Sequence, residues 1–287
     1  ANHYSESSAV TACTSASAAG RHCVVKELPG LGRRLFEAES TADVLAPPPP
    51  PSPSPSSPPP PRPSPPPPPP LPFVAKADFF VGVVHAVGFE ARRALLTVLK
   101  ASLAASQLPM LVACDLTGTE PGAPLPATCT VGCKGIGACR NQLVALAKSA
   151  DASFLAVLDD DVVAPAGGLS ALQAALRRDD TLDLVAGCYS DGDCYASTIV
   201  VDDRTMSFAP VDLGNDPSVP TRVDVAQNLF VARVDALDAA PWEARAETME
   251  HELFFTKWKL RGKTAAVLPS VVFNHIHNTE TAGYTAK

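Results

Sequence analysis

The 287-residue chain has no concentrated run of lysine or arginine, and its formal net charge is −7. Nucleic-acid backbones need such clusters, so nucleic acid is excluded as the main partner; one or two arginines beside a cation would still hold a single nucleotide. No stretch of 18 apolar residues occurs, which excludes a transmembrane helix within these residues. Among the eight cysteines there is no C-x-x-C pair, so zinc-ribbon spacing is missing. His251-Glu252 opens an H-E-x-x-H pattern that fails at Phe255, which removes a zinc-protease helix. Gly132, Gly135 and Gly137 miss the dinucleotide-binding spacing, and a Walker-type phosphate loop is absent.

Proline is the opposite case. Most of the 30 prolines crowd into residues 47 to 72, a tract unable to form a helix or a central strand and expected to be an extended polyproline II spacer. It leaves an N-terminal piece, residues 1–46, and a body, residues 73–287. Only the body is long enough to bury a full core. The first piece is poor in large apolar groups apart from Leu28 to Phe36, so it is expected to be mostly disordered, with one short helix at Arg33 to Glu39 and a Cys13–Cys23 link. The chain begins with Ala1 rather than Met, as expected of a processed or trimmed sequence whose targeting segment has been lost. Cys13, Cys23, Cys114, Cys129, Cys133, Cys139, Cys188 and Cys194 form an even set, which points to an oxidising secretory compartment. A Cys188–Cys194 bridge would close a short loop from Tyr189 to Asp193, while the remaining connectivity stays open.

The body alternates strand and helix patterns. Phe79 to Val84 predicts a strand, Glu90 to Ala105 a helix, and Met110 to Cys114 a second strand ending at Asp115. After a Pro- and Gly-rich loop from Thr117 to Gly137 come a helix, Ala138 to Ala150, and the apolar run Phe154 to Leu158. That run lacks polar alternation, so it reads as a strand buried on both faces of a parallel sheet, and ligands of such sheets bind beyond the carboxyl ends of the strands. Asp159, Asp160 and Asp161 stand there. Three adjacent carboxylates repel, and a divalent cation held by oxygen ligands supplies the compensation. Downstream, the patterns predict a helix at Leu169 to Arg178, a strand at Leu182 to Gly187, a hairpin of Tyr195 to Val201 with Thr205 to Ala209, and one long strand from Arg222 to Ala232. A helix at Met249 to Leu260 and short closing strands at Thr264 to Leu268 and Val271 to Phe273 complete an α/β domain.

These residues carry a resemblance. Gly137-Ala138-Cys139-Arg140-Asn141, a helix, and then Phe154 to Asp161 resemble the G-x-x-RN … FLxLDDD signature of GT-A nucleotide-sugar glycosyltransferases. Val223 to Arg233, Trp242-Glu243 and Glu250 to Phe255 are similar to the corresponding stretch of β-1,4-N-acetylgalactosaminyltransferases of the ganglioside-synthesising type. The similarity covers about residues 76 to 278 in matching order. It implies a GT-A fold, a Rossmann-like mixed sheet flanked by helices, and a metal-dependent inverting transfer of a hexosamine or hexose from a UDP-sugar to a glycan, glycolipid or glycoprotein hydroxyl. By the same resemblance Asp161 and Asp159 would hold a manganese or magnesium ion against the leaving diphosphate, and Asp160 would bind the ribose or the sugar. Asp115 would lie near the nucleoside base and Arg140 would contact the nucleotide. His275 and His277, two apart and so on one face of a strand, are candidates to complete the metal shell. The resemblance implies the lumen of the secretory pathway, chiefly the Golgi, with membrane attachment only through a segment absent here.

An inverting transfer needs a carboxylate to take the acceptor proton. The run Glu247 to Glu252 offers one at a helix start, with Thr248 able to cap; Glu250 ranks first and Glu252 second. Trp242 reads as core or as a wall of the acceptor site, with core favoured. The rival reading is a noncatalytic extracellular glycoprotein: the serine-proline tract resembles hydroxyproline-rich segments of plant and algal glycoproteins, and the body would then be a carbohydrate-binding module.

Overall fold

The computed structural model describes the backbone of residues 21–27 and 34–40, and residues 74–87, 89–120, 122, 124–191, 194–201, 206–244 and 250–276. The proline tract, Cys13, Thr248 and His277 lie outside the described residues. The chain divides into two units, Ala1–Leu71 and Pro72–Lys287.

In the first unit, β1 (Arg21–Glu27) pairs antiparallel with β2 (Arg34–Ser40), Val25 standing opposite Phe36. The helix expected over Arg33 to Glu39 is therefore a strand. Backbone pairing with β1 overrides the local helical pattern.

The second unit is a mixed α/β domain. Its strands are β3 (Phe79–Ala86), β4 (Met110–Asp115), β5 (Val131–Cys133), β6 (Phe154–Asp159), β7 (Val162–Val163), β8 (Leu184–Tyr189), β9 (Ser197–Val201), β10 (Met206–Pro210), β11 (Thr221–Val223), β12 (Phe230–Arg233) and β13 (Ala265–His275). The helices are α1 (Glu90–Leu103), α2 (Ile136–Ser149), α3 (Gly168–Arg178), α4 (Val234–Ala239) and α5 (Glu250–Leu260). The main sheet runs β11-β13-β8-β12-β6-β3-β4-β5, with β7 added against the end of β13. β3 pairs parallel with both β4 and β6: the chain steps from β3 through α1 to β4 on one side, then returns from β5 through α2 to β6 on the other. A crevice opens at such a reversal, beyond the strands' carboxyl ends. Ala86, Asp115 and Asp159 all end there.

Successive residues of a strand face opposite sides. Leu155 and Val157 accordingly join one core layer with Leu143 and Val144 of α2, while Phe154, Ala156 and Leu158 join the other with Leu96 and Leu99 of α1 and Leu172 of α3. Both layers are apolar, which is why β6 shows no polar alternation. α2 packs closely on β3: a Cβ on Gly82 would lie 3.1 Å from a Leu143 methyl.

Two expected strands are organised differently. The long strand from Arg222 to Ala232 is two short ones, β11 beside β13 and β12 between β6 and β8. The break falls at Asp224, whose carboxylate accepts from the Thr198 hydroxyl at 2.6 Å and the Ile199 amide at 2.8 Å, turning the chain toward the β9–β10 hairpin. The closing pair is the single strand β13, carried through Pro269 by a register shift between Val267 and Val272. The expected loop from Thr117 to Gly137 contains β5.

Candidate active site

The carboxyl ends of β3, β4 and β6 gather His85, Asp115, Asp159, Asp160 and Asp161; α1 adds Arg92, α2 adds Arg140, α5 adds Glu250 and His251, and β13 adds His275. The three consecutive acids face different groups, because the chain turns at Asp160 and Asp161 after β6; Asp160 and Asp161 share Arg92.

Asp160 turns inward and is 2% exposed. Its Oδ2 lies 2.6 Å from His85 Nδ1 and accepts from the Ala86 amide at 3.4 Å, while Oδ1 accepts from Arg92 Nη1 at 2.5 Å. Both oxygens are thereby engaged with protein groups, and Asp160 braces the strand end. The same Arg92 nitrogen donates to Asp161 Oδ2 at 2.7 Å. That oxygen also faces His275 Nε2 at 3.7 Å, and His275 Nδ1 is 3.1 Å from Asp191. The His275 ring stacks on Tyr189 with centroids 4.5 Å apart. The Ile276 amide donates to the Asp161 carbonyl at 2.8 Å, which fixes the end of β13 beside the acids.

Arg140 is 1% exposed. Its Nη2 donates to Asp159 Oδ1 at 3.0 Å and its Nη1 to Glu250 Oε1. Arg140 thus joins two carboxylates, because the first turn of α2 is pressed onto the chain after Trp242. A Cβ on Gly137 would lie 2.6 Å from the Glu243 carbonyl, and Asn141 clamps the Trp242 backbone by donating to its carbonyl at 3.0 Å and accepting from its amide at 2.9 Å. Trp242 itself is core, stacked on Phe254 at 4.1 Å. Glu250 Oε2 is buried without a hydrogen-bond partner. Glu252, one turn-half further along α5, is half-buried.

With the Asn228 amide oriented to satisfy its neighbours, its oxygen accepts from Arg140 Nη2 at 3.1 Å and its nitrogen donates to His251 Nδ1 at 2.8 Å. Desolvation and the nearby Arg140 charge push His251 down to about 3, so its ring stays neutral. Asp115 is 3% exposed and serves the loop: its Oδ1 accepts from the Thr117 amide, the Thr117 hydroxyl and the Gly135 amide at 2.9, 2.6 and 3.0 Å.

Protein crowding around the end of β6 raises Asp159 to about 6; Arg140 opposes the shift, while Asp161 and Glu250 add to it. Burial works against ionised Asp161, yet His275 and Arg92 hold it below the usual carboxylate range. His275 is raised, chiefly by its bond to Asp161, with Asp191 contributing. Burial lifts the Tyr189 hydroxyl well above its ordinary range, and Asp159 and Asp161 reinforce the effect.

Among the described residues no group of three or more His, Cys, Asp or Glu side chains stands in cation-holding geometry. The arrangement that fits a cation is smaller: Asp161 and His275 face one another, and the far ring nitrogen of His275 is held by a carboxylate, as metal-ligating histidines commonly are. Two protein ligands suffice where diphosphate oxygens and water complete the shell.

Three disulfides hold the rim. Cys114–Cys129 anchors the loop after β4, Cys133–Cys139 ties β5 to α2, and Cys188–Cys194 closes the loop that carries Asp191. Arg92, Asp191, Asn228 and His85 were not singled out by sequence. For Arg92 a signal existed: a helix following a parallel strand starts at the strand's carboxyl edge, so polar residues in its first turn border the crevice.

No family model and no curated protein matches the chain. Among solved structures it is similar to the crystal structure of GalNAc-T7 with UDP, GalNAc and Mn2+, at 14% identity and a TM-score of 0.49 over 70% of this chain and 44% of that one. It is also similar to the crystal structure of S. aureus TarS 1-349, at 14% identity and a TM-score of 0.45 over 70% of this chain and 60% of that one. The chain therefore spans less than two thirds of either, and likenesses of this size assign no activity.

Proposed function

We propose that the protein is a metal-dependent inverting glycosyltransferase of the GT-A type, moving a hexose or hexosamine from a UDP-sugar to a hydroxyl of a glycan or glycoconjugate. The observation that carries this reading is the placement of Asp161 and His275 face to face beyond the end of β6, with Asp191 behind the histidine and Arg92 beside the acid. Asp161 and His275 would hold the divalent cation, manganese or magnesium. When bound, that ion neutralises the charge developing on the departing diphosphate.

The chain's own residues supply the rest. Arg92 and Arg140 keep positive charge at an acid-rich edge, since the carboxylates around them outweigh the burial that opposes it. Such charge favours an anionic donor. Glu250 is the proposed base, offering the oxygen that Arg140 leaves unengaged, with Glu252 second. For an inverting displacement that oxygen must meet the acceptor hydroxyl on the face opposite the diphosphate. The disulfide-rich rim supports an oxidising lumen, which we take to be the Golgi.

Incubating the chain with a panel of UDP-sugars, with and without Mn2+, tests the reading. Metal-dependent release of UDP, accelerated by a glycan acceptor, is expected. No turnover of any donor under either condition would refute it and leave the noncatalytic reading standing.

A further inference from the structure

Arg92 is placed more specifically than a general positive charge at the edge of the crevice requires. A single nitrogen, Nη1, donates to Asp160 and to Asp161, and the Asp161 oxygen it meets is the one facing His275. The guanidinium is not loosely held: Asp160 is 2% exposed and pinned on its other oxygen by His85 and the Ala86 amide. The arginine side chain keeps 15% of its surface open, so it borders the crevice. In the free protein a fixed positive charge therefore sits against the oxygen that a divalent cation would need.

Two consequences follow from charge alone. A cation arriving by itself meets repulsion from Arg92, and this is weakly screened because the group is mostly buried. An anionic diphosphate arriving with the cation meets attraction from the same group. We propose that Arg92, anchored by Asp160 and His85, is a donor-positioning residue that makes the divalent cation and the nucleoside diphosphate bind together rather than the cation alone. This rests on the glycosyltransferase reading and names how its donor site fills.

Calorimetric titration of Mn2+ into the full chain, with and without UDP, tests it without measuring turnover. In the wild type, UDP is expected to raise Mn2+ affinity about tenfold or more. In Arg92→Gln, Mn2+ alone is expected to bind about fivefold tighter than in the wild type, and the enhancement by UDP to fall to about threefold or less. Arg92→Lys, which keeps the charge, is expected to restore the wild-type pattern. Tighter metal binding on losing a side chain is a result that mere structural damage would not produce. The inference is overturned if Arg92→Gln binds Mn2+ alone no more tightly than the wild type, if it keeps the full enhancement by UDP, or if Arg92→Lys behaves like Arg92→Gln. A wild type that binds no Mn2+ even with UDP present overturns the donor reading itself, and the inference falls with it.

Discussion

Replacing Arg140 by methionine removes the guanidinium joining Asp159 to Glu250 while keeping much of its apolar stem. The two carboxylates are then left near each other without their shared cation. Breaking a fully buried pair costs about 3–5 kcal/mol, and an exposed pair about 0–1 kcal/mol. Asp159 keeps 31% of its side-chain surface and Glu250 15%, so the expected loss is about 3 kcal/mol, at the low end of the buried range. For a domain of this size that lowers Tm by about 6–12 °C. The loss should depend on pH. Asp159 is already raised to about 6 in the folded chain, so its ionisation costs stability above that pH, and the cost fades as pH falls through 6 and the carboxyl protonates. Without Arg140 the raise grows, so urea melts in chelator-containing buffer should show the variant recovering about 1 kcal/mol or more of its deficit between pH 7.5 and pH 5. A deficit below about 0.5 kcal/mol, or one of the same size at both pH values, would show that Arg140 does not compensate these acids.

Asp161→Asn is expected to abolish metal-dependent donor turnover while the domain still melts cooperatively, since the residue lies in the turn after β6 and outside both core layers, although losing its pair with Arg92 lowers Tm; retained metal-dependent transfer would refute its role. Deleting residues 1–72 should leave turnover of the donor nearly unchanged, and loss of a cooperative melt after that truncation would show the boundary to be misplaced. Glu250→Gln and Glu252→Gln should both bind donor normally, with Glu250→Gln slowing transfer by about a hundredfold or more; near-normal rates in both variants would remove α5 as the source of the base.

The alternation of strand and helix, the burial of β6 on both faces and the clustering of acids at its end are local patterns, readable from consecutive side chains. The run Phe154 to Leu158 needs apolar residues at every position because helices cover both sides of the sheet, and that requirement is visible in sequence. What each acid does was decided only in three dimensions. Asp159, Asp160 and Asp161 are neighbours along the chain, yet one meets Arg140, one is locked between His85 and Arg92, and one faces His275. Arg92 lies 69 residues from Asp161, and Asp191 lies 84 from His275, so no window along the chain joins them. The same holds for the segment from Arg222 to Ala232. Its apolar character reads as one strand, but Asp224 bonds to Thr198 and Ile199 and sends the two halves to different neighbours in the sheet. Local pattern determines which residues must be buried or extended; pairing across the sheet determines which charges meet, because those contacts close only when distant strands come side by side.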